Sequence, residues 1–397
     1  MFEELRMAPA DAILGLSEAF RNDTNPEKIN LGVGIYKDEL GKTPILDSVK
    51  KAEEKILDTE TTKSYLPIPG GADFAAVVQQ LLFGSNSGII KTNRAVTAQT
   101  PGGTGALRIA GEFLKKVRPD SALWVSDPTW ANHTGIFGDA GFKVEKYPYY
   151  DGENKYLDFD AMINALSQIP EGDIVVLHGC CHNPTGMDPD IEQFKQIGLV
   201  LKERKVLPLI DFAYQGLANG IAEDAAGVRI LCGSNPEVVI TSSFSKNFGL
   251  YNERTGALTV LCENAETAEK AFSHLKLTIR RCYSNPPAHG GAIVSTVMAD
   301  PKLKALWESE VKGIRDRINE MRGLFVKTLK DKGVTRDFSF ITRQKGMFSF
   351  SGLNKAQVDT LRQKYSIYIV GSGRINVAGM TPSNMDRLCS AIADVLQ

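Results

Sequence analysis

Asp173-Ile174-Val175-Val176-Leu177-His178, then a helical repeat over 191–204, then Val206-Leu207-Pro208-Leu209-Ile210 with Asp211 directly behind it, is the stretch that decides the fold. Two short aliphatic and β-branched runs flank one amphipathic segment, which is the pattern of a β-α-β unit. Runs without polar alternation suit strands buried on both faces, and those belong to parallel sheets. Working outward, comparable runs occur at 95–99, 122–126, 143–147 and 237–241, each leading into a loop. Helical patterns at 105–117 and 158–168 fall between them. This alternation predicts an α/β fold with a mostly parallel, doubly wound sheet.

Beyond about residue 285 the texture changes. A long amphipathic helix is expected over 305–331, short strands near 346–350 and 374–377, and a last helix from Pro382, which together predict a smaller α+β domain. The beginning of the chain reads as a helix over 11–21 and a glycine-containing extended segment over 29–36. It lies outside the alternating unit, and completes the smaller domain or reaches toward another subunit.

With 397 residues the chain exceeds one ordinary core, and 43% hydrophobic with 23% charged residues is the balance of a globular protein. Forty-six basic against forty-seven acidic residues give a net charge of -1. No basic tract follows a nucleic-acid backbone or a lipid surface, and no window reads as a membrane span, so neither nucleic acid nor membrane is expected as a partner. The first ten residues are acidic and interrupted by Pro9, unlike a secretory signal, and the six cysteines lack a disulfide spacing. A cytoplasmic location is expected.

Ligands of open α/β sheets bind outside the carboxyl ends of the strands, so the residues there carry the functional reading. After 95–99 come Gly102, Gly103 and Thr104, glycines and a hydroxyl that open a helix and offer backbone N–H groups to a phosphate, or else form a plain tight turn. After 122–126 comes Trp130, either a stacking platform for a flat ring or a core residue. After 173–178 come Gly179-Cys180-Cys181-His182 and then Asn183. Adjacent cysteines do not readily share a tetrahedral site and paired zinc spacing is missing, so no metal is expected. After 206–210 come Asp211 and Tyr214, and a carboxylate at a buried strand end demands a cationic or hydrogen-bonding partner. After 237–241 come Ser243, Lys246 and, eight residues further, Arg254. A phosphate cradle, an indole, an amide, a carboxylate with a phenol and a lysine among hydroxyls together describe a site for pyridoxal 5'-phosphate. Lys246 then forms the Schiff base, and Asp211 keeps the ring nitrogen protonated.

These motifs resemble those of the fold-type I, class I aminotransferases, and within them the bacterial aspartate and aromatic amino acid aminotransferases. The resemblance covers essentially the whole chain. It is carried by Gln99-Thr100-Pro101-Gly102-Gly103-Thr104-Gly105-Ala106-Leu107, Cys181-His182-Asn183-Pro184-Thr185-Gly186, Asp211-Phe212-Ala213-Tyr214-Gln215-Gly216 and Ser245-Lys246-Asn247-Phe248-Gly249-Leu250-Tyr251. By position it implies that Lys246 shuttles the substrate proton, that Asn183 and Tyr214 bond the ring's phenolate oxygen, and that Trp130 stacks on the ring. Gly102, Gly103, Thr104, Ser243 and Arg254 would hold the phosphate, with Tyr65 supplied by the other subunit. Arg374 would grip the substrate's α-carboxylate, Arg280 of the neighbouring subunit a second carboxylate, and Gly34 would let the backbone close over the substrate. His133 and His178 would be supporting histidines, and the bonds before Pro128 and Pro184 would be cis.

The resemblance further implies a homodimer with shared sites, divided into a terminal arm and part of the small domain at 1–43, a large cofactor-binding domain at 44–312 and the rest of the small domain at 313–397. The reaction implied moves an amino group from aspartate or from phenylalanine, tyrosine and tryptophan to 2-oxoglutarate in two half-reactions. Ile35, Lys37, Thr43, Thr104 and Asn285 resemble the aspartate branch, and Arg281 resembles the aromatic one. An aspartate label is favoured slightly over a primarily aromatic, tyrosine-type enzyme. A nicotinamide dehydrogenase lacks its glycine fingerprint here, and a cofactor-binding regulator lacks its DNA-binding extension.

Overall fold

The computed structural model describes residues 2–7 and 14–397. The chain divides into two compact units, one of Pro44–Asp316 and one of Met1–Thr43 with Arg317–Gln397. The division falls inside the helix Pro301–Asp331, which opens four residues ahead of its expected start.

The larger unit is built on a seven-stranded sheet of β1 (Ala95–Pro101), β2 (Leu123–Asp127), β3 (Val144–Pro148), β4 (Ile174–His178), β5 (Leu207–Phe212), β6 (Val238–Ser243) and β7 (Thr255–Leu261). The strands lie in the order β1-β7-β6-β5-β4-β2-β3. β2 to β6 pair in parallel wherever they are neighbours, as the sequence predicts. β7 was not expected, and it runs antiparallel to both β6 and β1. Its Thr-Gly-Ala-Leu-Thr-Val-Leu run follows Arg254 without an intervening helix, so the alternation used to find strands passes over it.

Every residue of β4, β5 and β6 is buried, which explains the apolar runs that lead up to their polar carboxyl ends. Helix Gly102–Val117 lays Ala106, Ile109, Ala110, Phe113 and Leu114 on the core side, spaced three and four apart. Each large side chain so buried contributes roughly 1.5–3 kcal/mol. Helix Ile191–Arg204 starts at a capping box of Asp190 and Gln193 and stops at Lys205 in the left-handed conformation, φ 53°. These ends match the sequence expectation.

In the smaller unit Ile29–Asn30 pairs in parallel with Ile367–Tyr368, and Phe348–Phe350 pairs antiparallel with Arg374–Asn376. The extended segment expected over 29–36 is a paired strand only to Asn30. Past it, Asn376 takes over, donating its side-chain amide to the carbonyls of Val33 (2.7 Å) and Ile35 (2.8 Å). The first helix is Leu14–Asn22, and its expected start at 11–13 lies outside the described residues. The last helix, Pro382–Val395, has Pro382 in its first turn and a capping box of Thr381 and Asn384. No helix of the described residues is long and apolar enough to cross a membrane, and none of the six cysteines is in a disulfide.

Candidate active site

The sheet delivers its chemistry at the carboxyl ends of β1, β2, β4, β5 and β6. Asp211 is the next-to-last residue of β5, inside the strand and not after it, in register with His178 of β4 and Thr241 of β6. Its carboxylate accepts a hydrogen bond from His133 Nε2 at 3.0 Å. A carboxylate only accepts, so Nε2 carries a proton, and in the neutral ring Nδ1 then accepts from the Thr129 hydroxyl at 2.8 Å. Burial alone would raise the Asp211 carboxyl. The His133 hydrogen bond and the nearby Lys246 ammonium outweigh it and hold the group below its ordinary value. The strand end therefore presents a fixed negative charge.

Lys246 lies in the loop that leaves β6, with its amine 4.9 Å from the centroid of the buried Tyr214 ring. Burial lowers its pKa from 10.5 to about 8, helped by the Arg254 charge and opposed by Asp211. Near neutral pH such an amine is free often enough to act as a nucleophile, where an ordinary lysine would be free about one time in a thousand.

The loop expected to cradle phosphate is already helical. Helix Gly102–Val117 begins at Gly102, three residues before its expected start, so Gly102, Gly103 and Thr104 form its first turn and expose their N–H groups. Gly102 has φ 74°, and a β-carbon there would fall 2.5 Å from Arg254 Nη2. A β-carbon on Gly103 would lie 3.1 Å from Ser243 Cβ. The helix start, Ser243 and Arg254 thus converge on one small polar space. Arg254, itself at φ 53°, is oriented by donating to the Tyr251 carbonyl at 2.7 Å and the Ser245 hydroxyl at 3.4 Å. N–H donors, a hydroxyl, a guanidinium, a half-buried amine and a buried carboxylate match a ligand with a phosphate at one end and a basic ring nitrogen at the other.

Trp130 meets His133 edge-on at 5.4 Å, and Asn183 is buried in the loop after β4. The bonds before Pro128 and Pro184 are cis, as expected. Asp188 holds the loop carrying Asn183, accepting from the backbone N–H of Cys181 (2.7 Å) and His182 (2.8 Å). Asp224 does the same for the loop after Tyr214, gathering the N–H groups of Gly216, Ala218, Asn219 and Gly220. The sequence reading missed both carboxylates. It sets His133 among the supporting histidines, and the carboxylate that His133 touches is that of Asp211.

His178 is buried, and burial drives its pKa down to about 3, so it is neutral. Burial likewise holds His182 well below the ordinary histidine value, between Ser126 and Thr185, each at 2.9 Å. Ligand atoms of His133, His178 and Asp211 lie within 4.8 Å of one another, but the shared proton of His133 and Asp211 already occupies the line between two of them. Burial pushes the Cys180 thiol well above its ordinary value, which disfavours a metal-binding thiolate.

Tyr65 and Arg280 stand elsewhere on the larger unit. Tyr65 is 92% exposed, and Arg280 is exposed and bonded to the Ser284 hydroxyl. Both line a cavity of about 750 Å³ together with Ser64, Tyr283 and Asn285, whose lining includes neither Lys246 nor Asp211. In the smaller unit Arg374 is buried, donating to the Gly32 carbonyl at 2.7 Å, with its guanidinium 4.2 Å over the Phe348 ring. Gly34 packs on the same ring, where a β-carbon would come within 2.5 Å of Phe348 Cζ.

A half-buried lysine facing a clamped aspartate beside a glycine-started helix defines a cofactor-dependent transferase site, and the profile of the family "Aminotransferase class I and II" matches residues 26–392. The chain belongs to this family, and its architecture is fold-type I. Aspartate aminotransferase of Escherichia coli strain K12 is 56% identical over 396 residues, covering 100% of both chains. Aromatic-amino-acid aminotransferase of Pseudomonas aeruginosa is 48% identical over 394 residues, covering 99% of this chain and 98% of that one. The crystal structure of aromatic-amino-acid aminotransferase from Burkholderia pseudomallei, covalently bound to pyridoxal phosphate, superimposes with a TM-score of 0.97 at 49% identity, covering 100% of each chain.

Proposed function

We propose that the protein is a pyridoxal-phosphate-dependent aminotransferase that moves the amino group of aspartate, and of phenylalanine, tyrosine and tryptophan, to 2-oxoglutarate. The observation that carries this reading is the half-buried Lys246, its amine's pKa lowered to about 8, beside an Asp211 carboxylate fixed by His133. When bound, pyridoxal phosphate supplies an electron sink for the charge left on the substrate's α-carbon.

The chain's own residues do the rest. The N–H groups of Gly102, Gly103 and Thr104, the Ser243 hydroxyl and Arg254 hold the phosphate. Asp211 holds a proton on the ring nitrogen, and His133 keeps the carboxylate aimed. Asn183 and Tyr214 donate to the ring's phenolate oxygen, and Trp130 covers one face of the ring. Lys246 would hold the cofactor through its amine and, when that amine is free, would move a proton to and from the substrate's Cα. Arg374 offers the α-carboxylate a planar two-pronged donor, and Gly34 allows close backbone approach.

Tyr65 and Arg280 are surface residues of their own protomer, which supports the reading that they act in the site of a second copy, Tyr65 on the phosphate and Arg280 on a side-chain carboxylate. The active unit is then a homodimer, and six cysteines outside any disulfide suit the cytoplasm.

Aspartate is favoured as the label by the 56% identity to an aspartate enzyme against 48% to an aromatic one. The second reading, a primarily aromatic enzyme, is favoured by the superposition on the Burkholderia structure. Comparing kcat/KM for aspartate and phenylalanine with 2-oxoglutarate separates them. Comparable values support the dual reading, a large excess for phenylalanine supports the second, and no transamination of either refutes both.

A further inference from the structure

Arg322 is only 1% exposed, a costly place for a guanidinium unless its donors are well used. It donates to the carbonyls of Ile341 (3.1 Å), Gly346 (2.7 Å) and Phe348 (2.8 Å), and to the Ser349 hydroxyl. The last three acceptors bracket one aromatic residue, Phe348. The Phe348 ring lies under the Arg374 guanidinium at 4.2 Å and against Gly34, which has no room for a β-carbon. The strands of the two residues also pair, Phe350 standing opposite Arg374. Phe348 is therefore the wedge between the arginine and the glycine segment, and Arg322 is bonded to its carbonyl and to the side chain that follows.

We propose that Arg322 is a positioning residue for substrate binding. By fixing the main chain at Phe348 and Ser349 it holds the ring against Arg374, and so sets the direction in which Arg374 presents its donors to the α-carboxylate. This rests on the reading of Arg374 as the carboxylate grip. Two-pronged recognition tolerates little misdirection, so loss of Arg322 weakens every ligand carrying that carboxylate and leaves the chemistry at Lys246 alone. A merely structural residue would instead lower the folded fraction, which reduces apparent kcat and leaves KM unchanged.

The test uses Arg322→Lys in the cofactor-loaded enzyme. Lysine keeps the charge but, lacking the planar fork, cannot serve the Nη1 acceptors Ile341 and Ser349 together with the Nη2 acceptors Gly346 and Phe348. KM is expected to rise about tenfold for aspartate, phenylalanine and 2-oxoglutarate alike, with kcat within about threefold. Calorimetric Kd for succinate, a dicarboxylate that does not react, should rise by the same factor, and the pH midpoint of the cofactor's visible band should not move. A folded Arg322→Lys with KM and Kd unchanged, or with only kcat reduced, overturns the proposal. Should that variant fail to fold, Phe348→Leu removes the ring without touching Arg322 and must raise KM in the same uniform way; an unchanged KM there also overturns it. Arg374→Lys separates the two readings. If it raises KM while the other two variants do not, only the role of Arg322 falls; if it leaves KM unchanged, the grip itself falls and takes this proposal with it.

Discussion

Replacing Lys246 by methionine should abolish transamination and, in the cofactor-free protein, increase stability. The reason lies in the cost of an ammonium held inside the site. Its pKa falls from 10.5 to about 8 on folding, so the unfolded chain binds that proton more tightly than the folded one. The difference corresponds to about 3 kcal/mol against folding, taken as an upper bound because Lys246 keeps some surface that screens the charge. A lowered lysine pKa places the whole penalty below pH 8, shrinks it between 8 and 10.5 and removes it above. Methionine has a similar length and no charge. The assay is urea unfolding of cofactor-free wild type and Lys246→Met at matched concentration, because mass action shifts the stability of any dimer. Lys246→Met should be more stable by up to about 3 kcal/mol at pH 7, by about 1 kcal/mol at pH 9.5, and by nothing above pH 10.5. A variant no more stable than wild type at pH 7, or an advantage that does not fade with pH, would refute the reasoning.

Asp211→Asn removes the fixed charge and the ionic acceptor of His133, so kcat should drop by about two orders of magnitude or more while the chain stays folded; near-normal kcat would sink the role given to that carboxylate. Gly102→Ala places a β-carbon 2.5 Å from Arg254 at a residue with φ 74°, and should cost about 1–3 kcal/mol in stability and weaken pyridoxal phosphate at least about tenfold by equilibrium dialysis. Unaltered affinity would remove Gly102 and Arg254 from the cradle. Chains carrying Lys246→Ala and chains carrying Arg280→Ala should each turn over aspartate poorly, yet recover about a quarter of wild-type activity after dissociation and reassociation, since half of a random mixture is mixed dimer with one intact site. No recovery would contradict shared sites.

Much of this architecture is written locally. The strands of the parallel sheet announce themselves because burial on both faces demands unbroken apolar runs, and the site residues announce themselves because they follow those runs. Lys246, Asp211, Trp130 and Gly102 were found that way. What escaped depends on distance along the chain. His133 meets Asp211 across 78 positions, and nothing in the segment around His133 names its partner. Asp188 and Asp224 look like ordinary loop carboxylates until the backbone N–H groups they collect are seen. The antiparallel strand Thr255–Leu261 escaped because no helix precedes it. Tyr65 and Arg280 became candidates through family resemblance, and their exposure on one protomer makes physical sense once a second copy is considered.

Transamination turns on Lys246, and one measurement addresses it directly: load the protein with pyridoxal phosphate, reduce with borohydride, and map the adduct by peptide mass spectrometry. Loss of the visible band and of activity is expected, with a single cofactor adduct on the peptide carrying Lys246. An adduct on any other lysine, or no adduct with activity intact, would contradict it.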